Sequence, residues 1–161
     1  MSSTTAPAGA AQPWYAAFPE PKDAAPAALS RDAVLQRLRD SAPGDRAFVL
    51  VDVRRADHEG GTVRGSLNLP AQSLYPSLPT LHRVFKAAGV REVIWYCGSS
   101  RGRGTRAAAW FRDYLEAQGE TAIASVILSE GIKGWAAAGP EFVAWMDGYD
   151  ASVWGEKKDD A

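Results

Sequence analysis

Glu92-Val-Ile-Trp-Tyr96-Cys97-Gly98-Ser99-Ser100-Arg101-Gly102-Arg103-Gly104-Thr105-Arg106 carries an apolar run into a turn of glycine, serine and arginine, with the only cysteine of the chain at the junction. Val93 to Tyr96 reads as a buried strand. Ala107, Ala108, Trp110, Phe111, Tyr114 and Leu115 then follow helical spacing from about Gly104 to Gln118, closed by Gly119. A strand that ends in a glycine-rich loop and re-enters as a helix turns its backbone N–H groups toward one point, and such a nest suits an anion. Cys97 and Arg103 are separated by five residues. At that spacing the cysteine can attack a tetrahedral oxyanion while the arginine clamps two of its oxygens, a geometry that lysine does not reproduce.

The loop therefore reads as an active site. Cys97 is the candidate nucleophile, Arg103 the clamp, and Ser100 a hydroxyl that assists the thiolate as attacking or leaving group. The backbone of Gly98, Ser99, Arg101, Gly102 and Gly104 completes the oxyanion nest, with Arg101 and Arg106 adding positive potential. A lone cysteine is most often a small buried hydrophobe. Here three glycines and two arginines follow it within seven residues, which is not how a core position is surrounded. An Arg-Gly tract of the RNA-binding kind is the other bland reading, disfavoured by the flanking strand and helix.

Working outward, Ala47 to Val53 is apolar without alternation, the pattern of a central parallel strand covered on both faces. Asp52 interrupts it near the carboxyl end, where open parallel sheets place their ligand crevice, and is expected to pair with an arginine and support loop geometry. Ser30 caps a helix bearing Val34, Leu35 and Leu38, which Pro43-Gly44 ends. Further elements are a short strand Ser66 to Leu69, a helix Leu78 to Ala88, a strand Ser125 to Leu128, a short helix around Gly131 to Trp135 and a helical turn Phe142 to Met146. Strands alternating with helices predict an α/β fold with a mainly parallel central sheet. The expected organisation is a disordered tail at 1–13, one domain at 14–155 with Trp14, Tyr15 and Phe18 as an arm packed on it, and a frayed end at 156–161.

Composition excludes several classes. Net charge is −1, without a basic stripe, so neither nucleic acid nor anionic membrane is an expected partner. No apolar run approaches the roughly 20 residues of a membrane helix. One cysteine precludes an internal disulfide and fits a reducing, cytoplasmic or nuclear setting. His58 and His82 show no metal-ligand pairing with each other or with Cys97, so no metal site is expected, and His58, in the turn after the first strand, is assigned to the surface with a place facing the cleft as the alternative.

Three stretches resemble the rhodanese superfamily over Leu29 to Ala138. Leu50-Val-Asp52-Val-Arg54 looks like its first central strand. Gly60-Gly-Thr62-Val-Arg-Gly65-Ser-Leu-Asn-Leu-Pro70 is similar to its Gly-Gly-His-Ile-x-Gly-Ala-x-Asn motif, with Thr62 for the histidine. Glu130-Gly131-Ile-Lys-Gly134-Trp135 looks like its Gly-Gly-x-x-x-Trp element. The resemblance implies a three-layer α/β domain. Within the superfamily, sulfurtransferases generally carry a loop one residue shorter. Cell-division-cycle tyrosine phosphatases and eukaryotic arsenate reductases carry His-Cys-x-x-Ser-x-x-Arg-Gly, matched here at Cys97, Ser100, Arg103 and Gly104. Tyr96 replaces the histidine, and Gly102 stands where the phosphatases have a glutamate discussed as a proton donor. The resemblance thus implies an arsenate reductase or a phosphatase acting on a small oxyanion or phosphorylated substrate. No bound cofactor is implied, and an arsenate reductase would draw on external glutathione or glutaredoxin. Persulfide transfer from thiosulfate and a non-catalytic phosphate-binding module are the alternatives.

Overall fold

The computed structural model describes residues 12–155. The expected tail, apart from Gln12 and Pro13, and the expected frayed end lie outside the described residues. Five strands form a parallel sheet in the order β1-β6-β5-β2-β4: β1 Ala28–Leu29, β2 Phe48–Asp52, β4 Leu67–Asn68, β5 Glu92–Tyr96 and β6 Ala124–Leu128. A two-stranded antiparallel ribbon joins β3 (Thr62–Val63) to β7 (Met146–Asp147). The helices are α1 Arg31–Asp40, α2 Ala71–Leu74, α3 Leu78–Ala87, α4 Arg103–Ala117, α5 Gly131–Ala136, α6 Pro140–Val143 and α7 Ala151–Gly155.

The unalternating apolar strands are explained by layers on both faces. Val51 and Val53 of the β2 stretch and Val93, Trp95 and Cys97 of the β5 stretch point to one side, against Leu78, Phe85, Ala107, Ala108, Trp110, Phe111 and Leu115 of α3 and α4. Leu50, Ile94 and Tyr96 point to the other, against Val34, Leu35 and Leu38 of α1 and Ile132, Trp135 and Phe142 of α5 and α6. Successive strand residues alternate faces, so one run fills two cores. The Ser30 hydroxyl accepts the Ala33 N–H at 3.1 Å and caps α1.

The aromatic arm docks on the α4 face. Trp14 and Phe18 meet Trp110 edge to face at 5.9 and 5.7 Å, and the Trp110 indole N–H donates to the Pro19 carbonyl at 2.9 Å. The segment assigned as one helical turn from Phe142 to Met146 divides differently. Its helix ends at Val143, and Met146 becomes an edge residue of the β3–β7 ribbon, because its apolar side chain fills the α1-side core.

Sheet order fixes where a crevice can form. The chain leaves β2 for β4 on one side and returns to place β5 on the other, so connections from β2 and β5 diverge at their carboxyl ends. Ligand sites of open parallel sheets lie at such switch points. Asp52 and Tyr96 are register partners there, and Cys97 follows directly.

Candidate active site

Cys97 leaves β5 into a loop closed by the amino end of α4. The Ile132 N–H donates to the Cys97 carbonyl at 3.1 Å and the Lys133 N–H to the Gly98 carbonyl at 3.0 Å. Both contacts depend on Gly131, whose φ is +59° and whose Cβ, if present, would lie 2.5 Å from each of these carbonyl oxygens. In a trans peptide the C=O and the next N–H point oppositely. Anchoring the carbonyls of Cys97 and Gly98 on α5 therefore turns the N–H groups of Gly98 and Ser99 away from it. Among the described residues, no protein group accepts the N–H of Gly98, Ser99, Ser100, Gly102, Arg103 or Gly104. Gly102 caps α4 without a side-chain bond and the first turn holds no acid, so the first-turn donors and positive end of this 15-residue helix face the loop.

The sequence-assigned residues take distinct positions in this nest. Cys97 is buried. Ser100 is buried in the left-handed region at φ 62°, and its hydroxyl has no hydrogen-bond partner among the described residues. The Thr105 hydroxyl donates to the Ser100 carbonyl and holds that conformation at the helix entry. Ser99 accepts the Arg101 N–H at 3.4 Å, and Arg101 is exposed. Gly104 serves close approach: a Cβ there would stand 3.1 Å from both the Cys97 nitrogen and the Tyr96 Cα. On its outer side the loop borders a cleft of about 440 Å³ lined by Ser99, Ser100, Arg101, Glu130 and Lys133.

Arg103 presents its guanidinium edge to Asp57, Nη1 to Oδ1 at 2.8 Å and Nη2 to Oδ2 at 2.5 Å. The pair holds the Asp57 carboxyl far below the ordinary carboxylate range, chiefly through the Arg103 hydrogen bonds. It raises Arg103 in turn, and the charges of Cys97 and Asp52 add to that effect. Arg106 is engaged by the arm, not by the loop. It stacks 3.6 Å over the Tyr15 ring and pairs with Glu20 at 3.4 Å, because the docked arm places an aromatic face and an acid beside it.

Asp52 is fully buried and engaged by Arg54, itself 2% exposed. Arg54 Nε donates at 3.0 and 3.1 Å to the two carboxylate oxygens and Nη2 donates at 2.7 Å. The remaining guanidinium donors reach the carbonyls of Asp57 (3.3 Å), Glu59 (3.0 Å) and Gly61 (2.8 Å). The ion pair thus pins the 57–61 loop beside the Cys97 loop. The Thr62 hydroxyl donates to Asp52 at 2.9 Å and lies 2.6 Å from the Tyr96 hydroxyl. Tyr96 points away from the Cys97 face, accepts the Val63 N–H at 3.2 Å and meets Ser66 at 2.6 Å. Burial, then the Asp52 charge, pushes its phenol up, so it remains a neutral structural tie.

His58 is not a free surface residue. Its Nε2 lies 3.5 Å from Asp52 Oδ2, because the pinned loop folds it inward. His82 pairs with Glu120 at 2.9 Å, remote from the loop. Among the described residues, no group of three or more His, Cys, Asp or Glu is arranged to hold a metal ion, and no helix is long and apolar enough to cross a membrane. Sequence reasoning missed Arg54 and Asp57. The Asp52-Val-Arg54 spacing at a strand end, which puts both side chains on one face, was the available signal for the first. Asp57 lay in a turn with no pattern of its own.

This arrangement defines a class. The model of the rhodanese-like domain family matches residues 30–138, and the chain belongs to that family. Two solved structures of the yeast (Saccharomyces cerevisiae) protein Ygr203w share the fold. One, described as a protein tyrosine phosphatase of the rhodanese family, has 23% identity and a TM-score of 0.66 over 81% of this chain and 98% of its own. The other, described as a homolog of single-domain rhodanese and the Cdc25 phosphatase catalytic domain, has 22% identity and a TM-score of 0.66 over 80% and 91%. The As-Sb reductase from Leishmania major shares 18% identity with a TM-score of 0.58, covering 65% of this chain and 73% of that one. No curated protein matches the chain.

Proposed function

We propose that this chain is a cysteine-dependent oxyanion enzyme in which the Cys97 thiolate attacks a tetrahedral oxyanion held by Arg103 and the loop N–H groups, with Ser100 assisting and arsenate reduction ahead of phosphomonoester hydrolysis. One observation carries the reading. The Arg103 guanidinium already makes a two-point contact with a carboxylate, beside a loop in which the N–H groups of Gly98, Ser99, Ser100, Gly102, Arg103 and Gly104 have no protein acceptor among the described residues. That donor set fits an anion with several equivalent oxygens. The likeness in fold to a phosphatase and to an As-Sb reductase is consistent with it.

Arsenate is favoured because the chain offers one thiol, which suffices when external thiols resolve the adduct. Attack on arsenate gives an arseno-cysteine, and external thiols, as glutathione with glutaredoxin, supply two electrons and leave as a disulfide. No bound cofactor is required, and a reducing cytoplasmic or nuclear setting keeps the thiol available. The loop length weighs against persulfide transfer. Glutathione-coupled arsenate reduction and aryl phosphate hydrolysis, each assayed with wild type and Cys97→Ser, test the assignment. At least one activity is expected in wild type and lost in the variant.

A further inference from the structure

The Cys97 loop carries no carboxylate of its own, and Asp57 is the one held against its Arg103. Its carboxylate engages the same two Arg103 donors that a bound oxyanion needs, at 2.8 and 2.5 Å, so the two anions compete for one fork. The backbone beneath it is fixed. Arg54 holds the Asp57 carbonyl at 3.3 Å, and the Glu59 N–H donates to that carbonyl at 2.9 Å. The side chain is 52% exposed and can rotate about that fixed point. The neighbouring acid is unsuited to the task, because Asp52 is buried and saturated by Arg54 and Thr62.

We propose that Asp57 is the proton donor of the reaction: it holds Arg103 until the substrate oxyanion displaces it, and then protonates the oxygen that leaves. The proposal rests on Cys97 being the nucleophile. Displacement removes the Arg103 hydrogen bonds, the main cause holding this carboxyl low, and leaves it beside a new negative charge. Both changes favour the protonated acid. With arsenate, the incoming monoanion passes one proton to Asp57. The Cys97 sulfur then forms a bond to arsenic as an As–O bond breaks. The departing hydroxide takes the Asp57 proton and leaves as water. Arsenic remains pentavalent, so the step needs no reductant. With a phosphomonoester, the leaving alkoxide takes the same proton.

The test uses the full chain and two readouts. Arsenate protection of Cys97 from iodoacetamide gives anion affinity, and the activity that wild type supports gives turnover. Asp57→Asn is expected to bind arsenate about 10-fold more tightly while turnover falls about 10²-fold, within the range of general-acid catalysis. Asp57→Glu is expected to recover part of the turnover. A merely structural contact would not tighten binding while slowing the reaction. Equal protection of wild type and Asp57→Asn, or unchanged turnover, overturns the role of Asp57 while leaving Cys97 as nucleophile. Absence of arsenate protection in both proteins removes the oxyanion site and the proposal together. A thermal melt matched to wild type accompanies each variant.

Discussion

Arg54 grips Asp52 across a completely buried pair and, with the same guanidinium, holds three carbonyls of the loop that carries Asp57. One residue thereby joins the end of β2 to the rim of the Cys97 nest. Replacing it leaves a carboxylate without its charge partner in the core, an arrangement that costs about 3–5 kcal/mol. Arg54→Met is expected to lower unfolding free energy by that amount in urea titrations. Arg54→Lys is expected to lose most of it as well, because an ammonium cannot span two carboxylate oxygens and three carbonyls.

Gly131 is the backbone hinge of the nest. Its left-handed φ and the 2.5 Å approach of two carbonyls leave no room for a methyl group. Gly131→Ala is expected to destabilise the fold by more than about 1 kcal/mol. It should also turn the Cys97 and Gly98 carbonyls, so that iodoacetamide labelling of Cys97 changes more than the loss of stability explains.

Arg103→Lys tests the fork directly. The charge remains, but two-point contact is lost. Loss of one such donor in an oxyanion site costs about 10²–10³-fold in turnover. A decrease of at least ~10²-fold in kcat/KM is expected, with thermal stability near that of wild type, because the pair with Asp57 is partly exposed and the lysine keeps the charge.

Far from the site, His82 holds the Glu120 carboxyl down to about 2 through its hydrogen bond, with the Ala122 N–H and Lys86 adding to it. A carboxyl lowered on folding stabilises the folded state above its unfolded value near 4.5, and the effect fades as pH falls toward about 2. Glu120→Gln is therefore expected to lower stability above about pH 4.5, to flatten the profile between those pH values and to converge with wild type toward about pH 2. Denaturant titrations at stepped pH read it out.

The central fold was legible because its signals are local. Continuous apolar strands, the Ser30 cap and the Cys97-to-Arg103 spacing each depend on neighbouring residues, and the resemblance to the rhodanese superfamily spans nearly the same segment as the family match. The elements that escaped were short or set by distant contacts. Thr62–Val63 and Met146–Asp147 are two residues each and become strands through each other. Arg106 turned to the arm because Tyr15 and Glu20 arrive from 86 or more residues away in the chain. Asp57 reaches Arg103 across 46 residues, and only the switch point of the sheet order brings their loops together.

The most direct test of Cys97 as an oxyanion nucleophile is mass spectrometry of the intact chain after brief exposure to arsenate or an aryl phosphate, in wild type and Cys97→Ser. A covalent arseno- or phospho-cysteine adduct at Cys97 that is absent from the serine variant is the predicted result. Turnover without any adduct, or activity retained by Cys97→Ser, would contradict it.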